Sequence, residues 1–135
     1  MSANSEKEEE QRPDAVRPSQ TDLLLVGGRV DLRLGVVQRD GATERLTTKE
    51  LQVLRYLVER QGQAVAQEDL LRDVWGYKRP TRTRSVYTAV KRLRAKIERD
   101  PAEPRHVLTV HGEGYCFEPC REVPADRSHK ARYRT

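Results

Sequence analysis

Between Lys78 and Arg105 the chain concentrates cations: ten Lys and Arg (78, 79, 82, 84, 91, 92, 94, 96, 99 and 105) stand against Glu98, Asp100 and Glu103, a local surplus of seven. The whole 135-residue chain carries a surplus of only five. Clustered Lys and Arg neutralise phosphates and release the counterions condensed on a duplex, so this stretch has the chemistry of a nucleic-acid contact. Tyr87, Thr88 and Ala89 are interleaved with the cations. Small side chains near the start of a helix would let it sink into a major groove about 12 Å wide. Taken alone, the same charges describe a solvated face equally well.

The other chemistries are poorer in residues. His106, His111, Cys116 and Cys120 lie close in sequence, but their spacings match no common zinc pattern. Strand alternation points Tyr115 and Phe117 inward and Cys116 outward. No Gly-rich phosphate loop, serine elbow or His-Glu-x-x-His is present, so neither catalysis nor a cofactor or metal is expected.

The cations need an element to aim them. Val86, Val90, Leu93 and Ile97 recur at offsets of four, three and four, which keeps them within a sector of about 60° on a helix spanning about 83–98. With that stripe inward, Arg84, Thr88, Lys91 and Ala95 point outward, and Tyr87 and Arg92 flank them. Upstream, Thr47-Thr48-Lys49-Glu50 has the form of a capping box, with Leu46 and Leu51 as its staple. It opens a helix over about 48–61 whose Leu51, Leu54, Leu57 and Val58 share a face, and Gly62 stops it. A shorter amphipathic helix runs from Gln67 to Trp75. The segment Tyr77-Lys78-Arg79-Pro80-Thr81-Arg82 reads as a surface loop.

Strand signals flank the helices. Leu23–Val26, the alternating Val30, Leu32 and Leu34, and Val36–Arg39 turning at Asp40-Gly41 into Thr43–Leu46 predict a small antiparallel sheet. Val107–Val110 and Tyr115–Glu118 around Gly112-Glu113-Gly114 predict a terminal hairpin. The expected fold class is α+β, in the order sheet, three helices, hairpin. Residues 1–20 are polar and acid-biased and read as a disordered leader. Residues 121–135 read as a flexible basic tail, either a solubilising terminus or a source of non-specific DNA affinity. One domain is expected over 21–120.

Composition closes further routes. With 36% hydrophobic and 35% charged residues and a mean hydropathy of −0.86, the chain has no run of the roughly 20 apolar residues that a spanning helix needs. The acidic start is no secretory signal, and two cysteines build no disulfide scaffold. A cytoplasmic protein without a membrane partner is expected.

The segments Leu46-Thr47-Thr48-Lys49-Glu50-Leu51, Leu70-Leu71-Arg72-Asp73-Val74-Trp75-Gly76, Arg84-Ser85-Val86, Val90-Lys91-Arg92-Leu93-Arg94-Ala95-Lys96-Ile97 and Thr109-Val110-His111-Gly112-Glu113-Gly114-Tyr115 together resemble the effector domain of OmpR/PhoB-type regulators. The resemblance runs from about residue 23 to 118. It implies a winged helix-turn-helix that binds double-stranded DNA to regulate transcription, with the third helix in the major groove and the hairpin as a wing at the minor groove. It also implies tandem head-to-tail pairs on direct repeats. By position, Arg84, Lys91 and Arg94 resemble the family's phosphate-gripping cations, and Tyr87, Thr88 and Arg92 its base-facing residues. Trp75 resembles a phosphate contact, and Thr109 and His111 belong to the wing. Tyr77, Lys78, Arg79 and Arg82 resemble the loop that meets RNA polymerase or another transcription protein. The family's usual receiver domain does not fit ahead of this domain, so the expectation is either a fragment of a longer protein or a stand-alone, two-component-like regulator, the second being favoured by the Met1 start. A second reading stays open, in which the same fold holds an acidic protein instead of DNA.

The wing departs from the family pattern. His111 stands where many members carry arginine, and Glu113 would be repelled by a narrow minor groove. Histidine contributes a cation only on the acid side of neutrality. DNA affinity at constant salt should therefore fall as pH rises from about 6 to about 8, and a flat profile by fluorescence anisotropy would remove His111 from the interface.

Overall fold

The computed structural model describes residues 22–120, so the expected leader (1–20) and basic tail (121–135) lie outside the described residues. Strands β1 (Asp22–Leu25), β2 (Gly28–Asp31), β3 (Val36–Arg39) and β4 (Ala42–Arg45) form an antiparallel meander. Helices α1 (Thr48–Glu59), α2 (Gln67–Asp73) and α3 (Ser85–Ile97) follow, then the hairpin β5 (Val107–Val110) and β6 (Gly114–Phe117). This is the expected α+β winged helix-turn-helix. Among the described residues no helix is long and apolar enough to cross a membrane.

The meander presents one apolar row to the helices: Leu23, Val30 and Val37 are cross-strand neighbours and all are buried. Its last turn is the anticipated one, with Asp40 and Gly41 both at positive φ (51° and 80°) as a two-residue hairpin requires. The alternation through Leu34 does not continue as strand. The Asp31 carboxylate accepts from the amides of Arg33 (2.8 Å) and Leu34 (3.1 Å) and ends β2 there, leaving Leu34 exposed. A short acidic side chain bonding its own downstream backbone competes successfully with the ladder.

At the start of α1 the capping box is complete: Thr47 Oγ1 accepts from the Glu50 amide (3.1 Å), and Glu50 Oε1 accepts from the Thr47 amide (2.9 Å). The buried face of α1 is Glu50, Val53, Leu54 and Leu57, rotated from the expected set, because Leu51 and Val58 sit at the margin of the core. The rotation brings the Glu50 carboxylate, 3% exposed, onto the Lys96 ammonium of α3 at 2.8 Å. Lys96 also donates to the Arg45 carbonyl (3.0 Å), so one cation ties α3 to both α1 and β4. Burial alone would raise the Glu50 pKa, but the hydrogen bonds from Lys96 and the Thr47 amide outweigh it and hold the group below its usual value.

α2 ends two residues earlier than expected, at Asp73, where Gly76 (φ +78°) turns the chain and its amide and that of Tyr77 bond back to Arg72 and Leu71. Tyr56 of α1 donates to Asp73 (2.6 Å) and clips the two helices together. On α3 the predicted stripe is realised: Val86, Val90, Leu93 and Ile97 are all within 1% of complete burial.

The two-stranded hairpin is extended by one isolated bridge, because Val65 pairs with Tyr115 on the free side of β6, the amide of each bonding the other's carbonyl (2.7 and 3.0 Å). Gly62 (φ +83°) adds a bond to the Phe117 carbonyl. That covering segment corrects the expectation for Cys116, which is buried along with Tyr115 and Phe117: both faces of β6 are packed, so alternation no longer sorts inside from outside. Burial pushes the Cys116 thiol pKa up. The same approach explains Gly114, where φ is +135° and a Cβ would lie 1.9 Å from the Val65 carbonyl oxygen.

Gly114→Ala should therefore cost about 3 kcal/mol by urea denaturation, from backbone strain and overlap combined. Gly112→Ala, in open space, should cost only about 1 kcal/mol. The Glu50 contribution has the sign of a depressed carboxylate: it is present above the unfolded pKa and is lost as pH falls through the folded one. Lys96→Met should destabilise by about 2 kcal/mol, less than a fully buried pair because Lys96 is partly exposed, and should move the acid transition to higher pH.

Candidate nucleic-acid interface

α3 is held by its apolar stripe so that its opposite side meets solvent. Arg84, Tyr87, Lys91, Arg92 and Ala95 are exposed and Thr88 is half-buried. Arg84 lies over the Tyr87 ring at 4.6 Å, which stiffens both side chains at the N-terminal end of the helix. Among the described residues no carboxylate pairs with Arg84, Lys91 or Arg92. Ala89 lies mostly beneath this surface and reaches it only at the cleft beside Trp75. It lies one turn from both Val86 and Leu93 and is buried with them.

Trp75, expected at the end of the second helix, lies two residues beyond it and is half-buried. It joins Arg84, Thr88 and Arg92 in lining a cleft of about 450 Å³ between the N-terminus of α1 and that of α3. Lys49 completes this cleft; its ammonium sits 5.3 Å from the centre of the Trp75 ring and donates to the Val74 carbonyl (3.2 Å). Lys49 was missed from the sequence. The available signal was its position, since a cation in the first turn of a helix opposes the dipole and needs another reason to be there.

Two expected contributors are engaged within the protein. Arg94 donates from Nε to the Val107 carbonyl (2.9 Å) and from Nη2 to Thr109 Oγ1 (2.9 Å), and is half-buried. Burial pulls its pKa below the ordinary arginine value, against the pull of Tyr115, Glu98 and Tyr87. Thr109 accepts that bond and keeps its hydroxyl hydrogen for another partner. His111 is exposed at the hairpin tip between Val110 and Gly112, with Glu113 beside it. In the α2–α3 loop, Lys78, Arg79 and Arg82 are exposed, whereas Tyr77 packs against the core and anchors the loop.

The acid that directly follows α3 faces inward, whereas Asp100 and Glu103 are exposed. Glu98, fully buried, accepts from the amides of Arg105 (2.7 Å), His106 (3.0 Å) and Val107 (2.7 Å), and its carbonyl accepts from Arg39. His106 Nε2 accepts from the Val26 amide (3.0 Å), so Nδ1 carries the proton and donates to the Glu118 carbonyl (2.9 Å). With both ring nitrogens occupied and Cys116 buried, the four His and Cys residues do not assemble, and among the described residues no group of three or more His, Cys, Asp or Glu could hold a metal ion.

Known proteins share both the sequence and this geometry. Residues 41–117 match the family model described as transcriptional regulatory protein, C terminal. The response regulator MtrA of Mycolicibacterium smegmatis is 41% identical over 95 residues, covering 70% of this chain and 42% of that protein. The transcriptional regulator RpaA of Synechocystis is 40% identical over 78 residues, 58% of this chain and 32% of that protein. This chain thus spans about two fifths or less of those relatives' length. Among solved structures, the Klebsiella pneumoniae RstA DNA-binding domain in complex with the RstA box superposes with a TM-score of 0.63 at 28% identity, over 75% of this chain and 100% of that one. The response regulator DrrB, a Thermotoga maritima OmpR/PhoB homologue, gives 0.61 at 33% identity, over 72% and 44%. With a family model matched over more than half its length and the same elements in the same order, the chain belongs to the C-terminal domain family of transcriptional regulatory proteins, the winged helices of the OmpR/PhoB type.

Proposed function

We infer that this chain binds double-stranded DNA sequence-specifically to regulate transcription, with α3 in the major groove. The observation that carries this is the set of exposed, carboxylate-free cations Arg84, Lys91 and Arg92 on the side of α3 opposite its buried stripe. The match to the RstA domain bound to its box supports it.

Arg92 reads bases, because a guanidinium can donate two hydrogen bonds to guanine O6 and N7, and Tyr87 and Thr88 sit beside it. Arg84 and Lys91 take phosphates. In the cleft, Lys49 and the Trp75 indole N–H take a further phosphate. The wing contributes Thr109 and His111. Lys78, Arg79 and Arg82 present a cationic loop to an acidic surface of RNA polymerase or another transcription protein, and the domain works as tandem pairs on direct repeats. The chain is a binding module rather than an enzyme, and its address is the cytoplasm.

A salt titration with short duplexes tests this, with a log–log slope of several units expected; binding to an acidic protein with none to duplex at low salt would overturn it. Arg92→Ala should relax discrimination at particular base pairs by about 1–3 kcal/mol. Lys91→Ala should weaken all sequences alike and lower the salt slope by about one unit. The reverse pattern would mean that the helix presents a different face.

A further inference from the structure

We propose that Arg94 is a positioning residue that locks the wing at a fixed angle to α3, rather than a ligand for a DNA phosphate. The proposal rests on the DNA-binding reading and deepens it. β5 is fastened at two separated points. At its base, the Glu98 carboxylate, which directly follows α3, takes the Val107 amide at 2.7 Å. Arg94 of α3 adds a bond to the carbonyl of the same Val107 and then reaches the second point, the Thr109 hydroxyl two residues on, both at 2.9 Å. One attachment would act as a hinge, whereas two along the same strand fix its direction.

The guanidinium also reaches the second strand, lying 5.8 Å from the centre of the Tyr115 ring, and Tyr115 is the cross-strand partner of Thr109. A rigid planar fork can satisfy a carbonyl, a hydroxyl and a ring face together. A lysine ammonium, a point charge on a flexible stem, cannot hold that geometry. Arg94 therefore differs in kind from Arg84, Lys91 and Arg92, which have no comparable commitment to the hairpin.

The consequence for binding is preorganisation. A wing held at the correct angle meets DNA in the same event as α3, whereas a loose wing must be ordered at a cost in affinity. Residues 107–117 contain no Lys or Arg, so detaching the wing removes no permanently cationic phosphate contact. This separates the two roles of Arg94 experimentally.

The test compares the full chain with Arg94→Met, Arg94→Lys and, as a phosphate-contact control, Lys91→Ala, by fluorescence anisotropy across a salt series. Positioning predicts that both Arg94 variants lose about tenfold in affinity while the salt slope stays at its unsubstituted value and the lysine gives no rescue. Hydrogen exchange on the DNA-free proteins should show faster amides in β5 with the β1–β4 sheet unchanged, which also reports that the variants are folded. A slope lowered by about one unit in Arg94→Met, affinity restored by lysine, or unchanged β5 exchange would overturn the proposal. If the unsubstituted chain bound no duplex at any salt, the DNA reading would fall by itself, and β5 exchange would still decide what Arg94 does.

Discussion

The structure depends on the burial of one aliphatic ridge, Val86, Val90, Leu93 and Ile97, along α3. Removing each such side chain from water is worth about 1.5–3 kcal/mol, an upper estimate because unfolded chains already hide part of that surface. The same burial does two things at once: it closes the core against α1 and the N-terminal sheet, and it fixes the rotation of α3 about its own axis. A helix free to roll would present its cations in no particular direction. Four residues that prefer the interior decide where Arg84, Lys91 and Arg92 point.

A second constraint is the disposal of negative charge. A surface meant for phosphates tolerates few carboxylates, yet Glu50 and Glu98 both lie beside the charged helix. Each is turned inward and satisfied. Glu50 takes a cation from the same helix, and Glu98 takes a set of backbone amides at the start of β5. Both acids then work as fasteners, one joining α3 to α1 and the other joining α3 to the hairpin. Lys96 is consumed in this arrangement. The burial of Glu98 offsets the loss of Lys96, so the segment keeps its positive surplus at the surface, and on the helix itself Arg84, Lys91 and Arg92 remain exposed.

Much of this was legible beforehand where a local pattern and a local cause coincide. The four-three-four spacing on α3, the reciprocal capping box at Thr47 and Glu50, and the Asp40-Gly41 turn each depend on residues a few positions apart, and each is realised in the fold. Reading failed where two local causes compete or where a third element arrives. The alternation through Leu34 lost to the Asp31 carboxylate, and the alternation along β6 lost its meaning once the segment at Gly62–Val65 covered the strand's other side. The spacing of His106 revealed nothing of its role as a buried joint that accepts from the Val26 amide and bonds the Glu118 carbonyl.

The sequence by itself determined the elements, their order, the side of α3 that is buried and the excess of positive charge, because periodicity and composition act through neighbours in the chain. Only the tertiary structure decided which charges remain available. Lys96 and Glu50 are 46 positions apart, and Arg94 is 15 positions from the hydroxyl it grips. A long charged side chain bonds whatever the packing of distant elements brings within its reach, and no spacing rule along the chain records that.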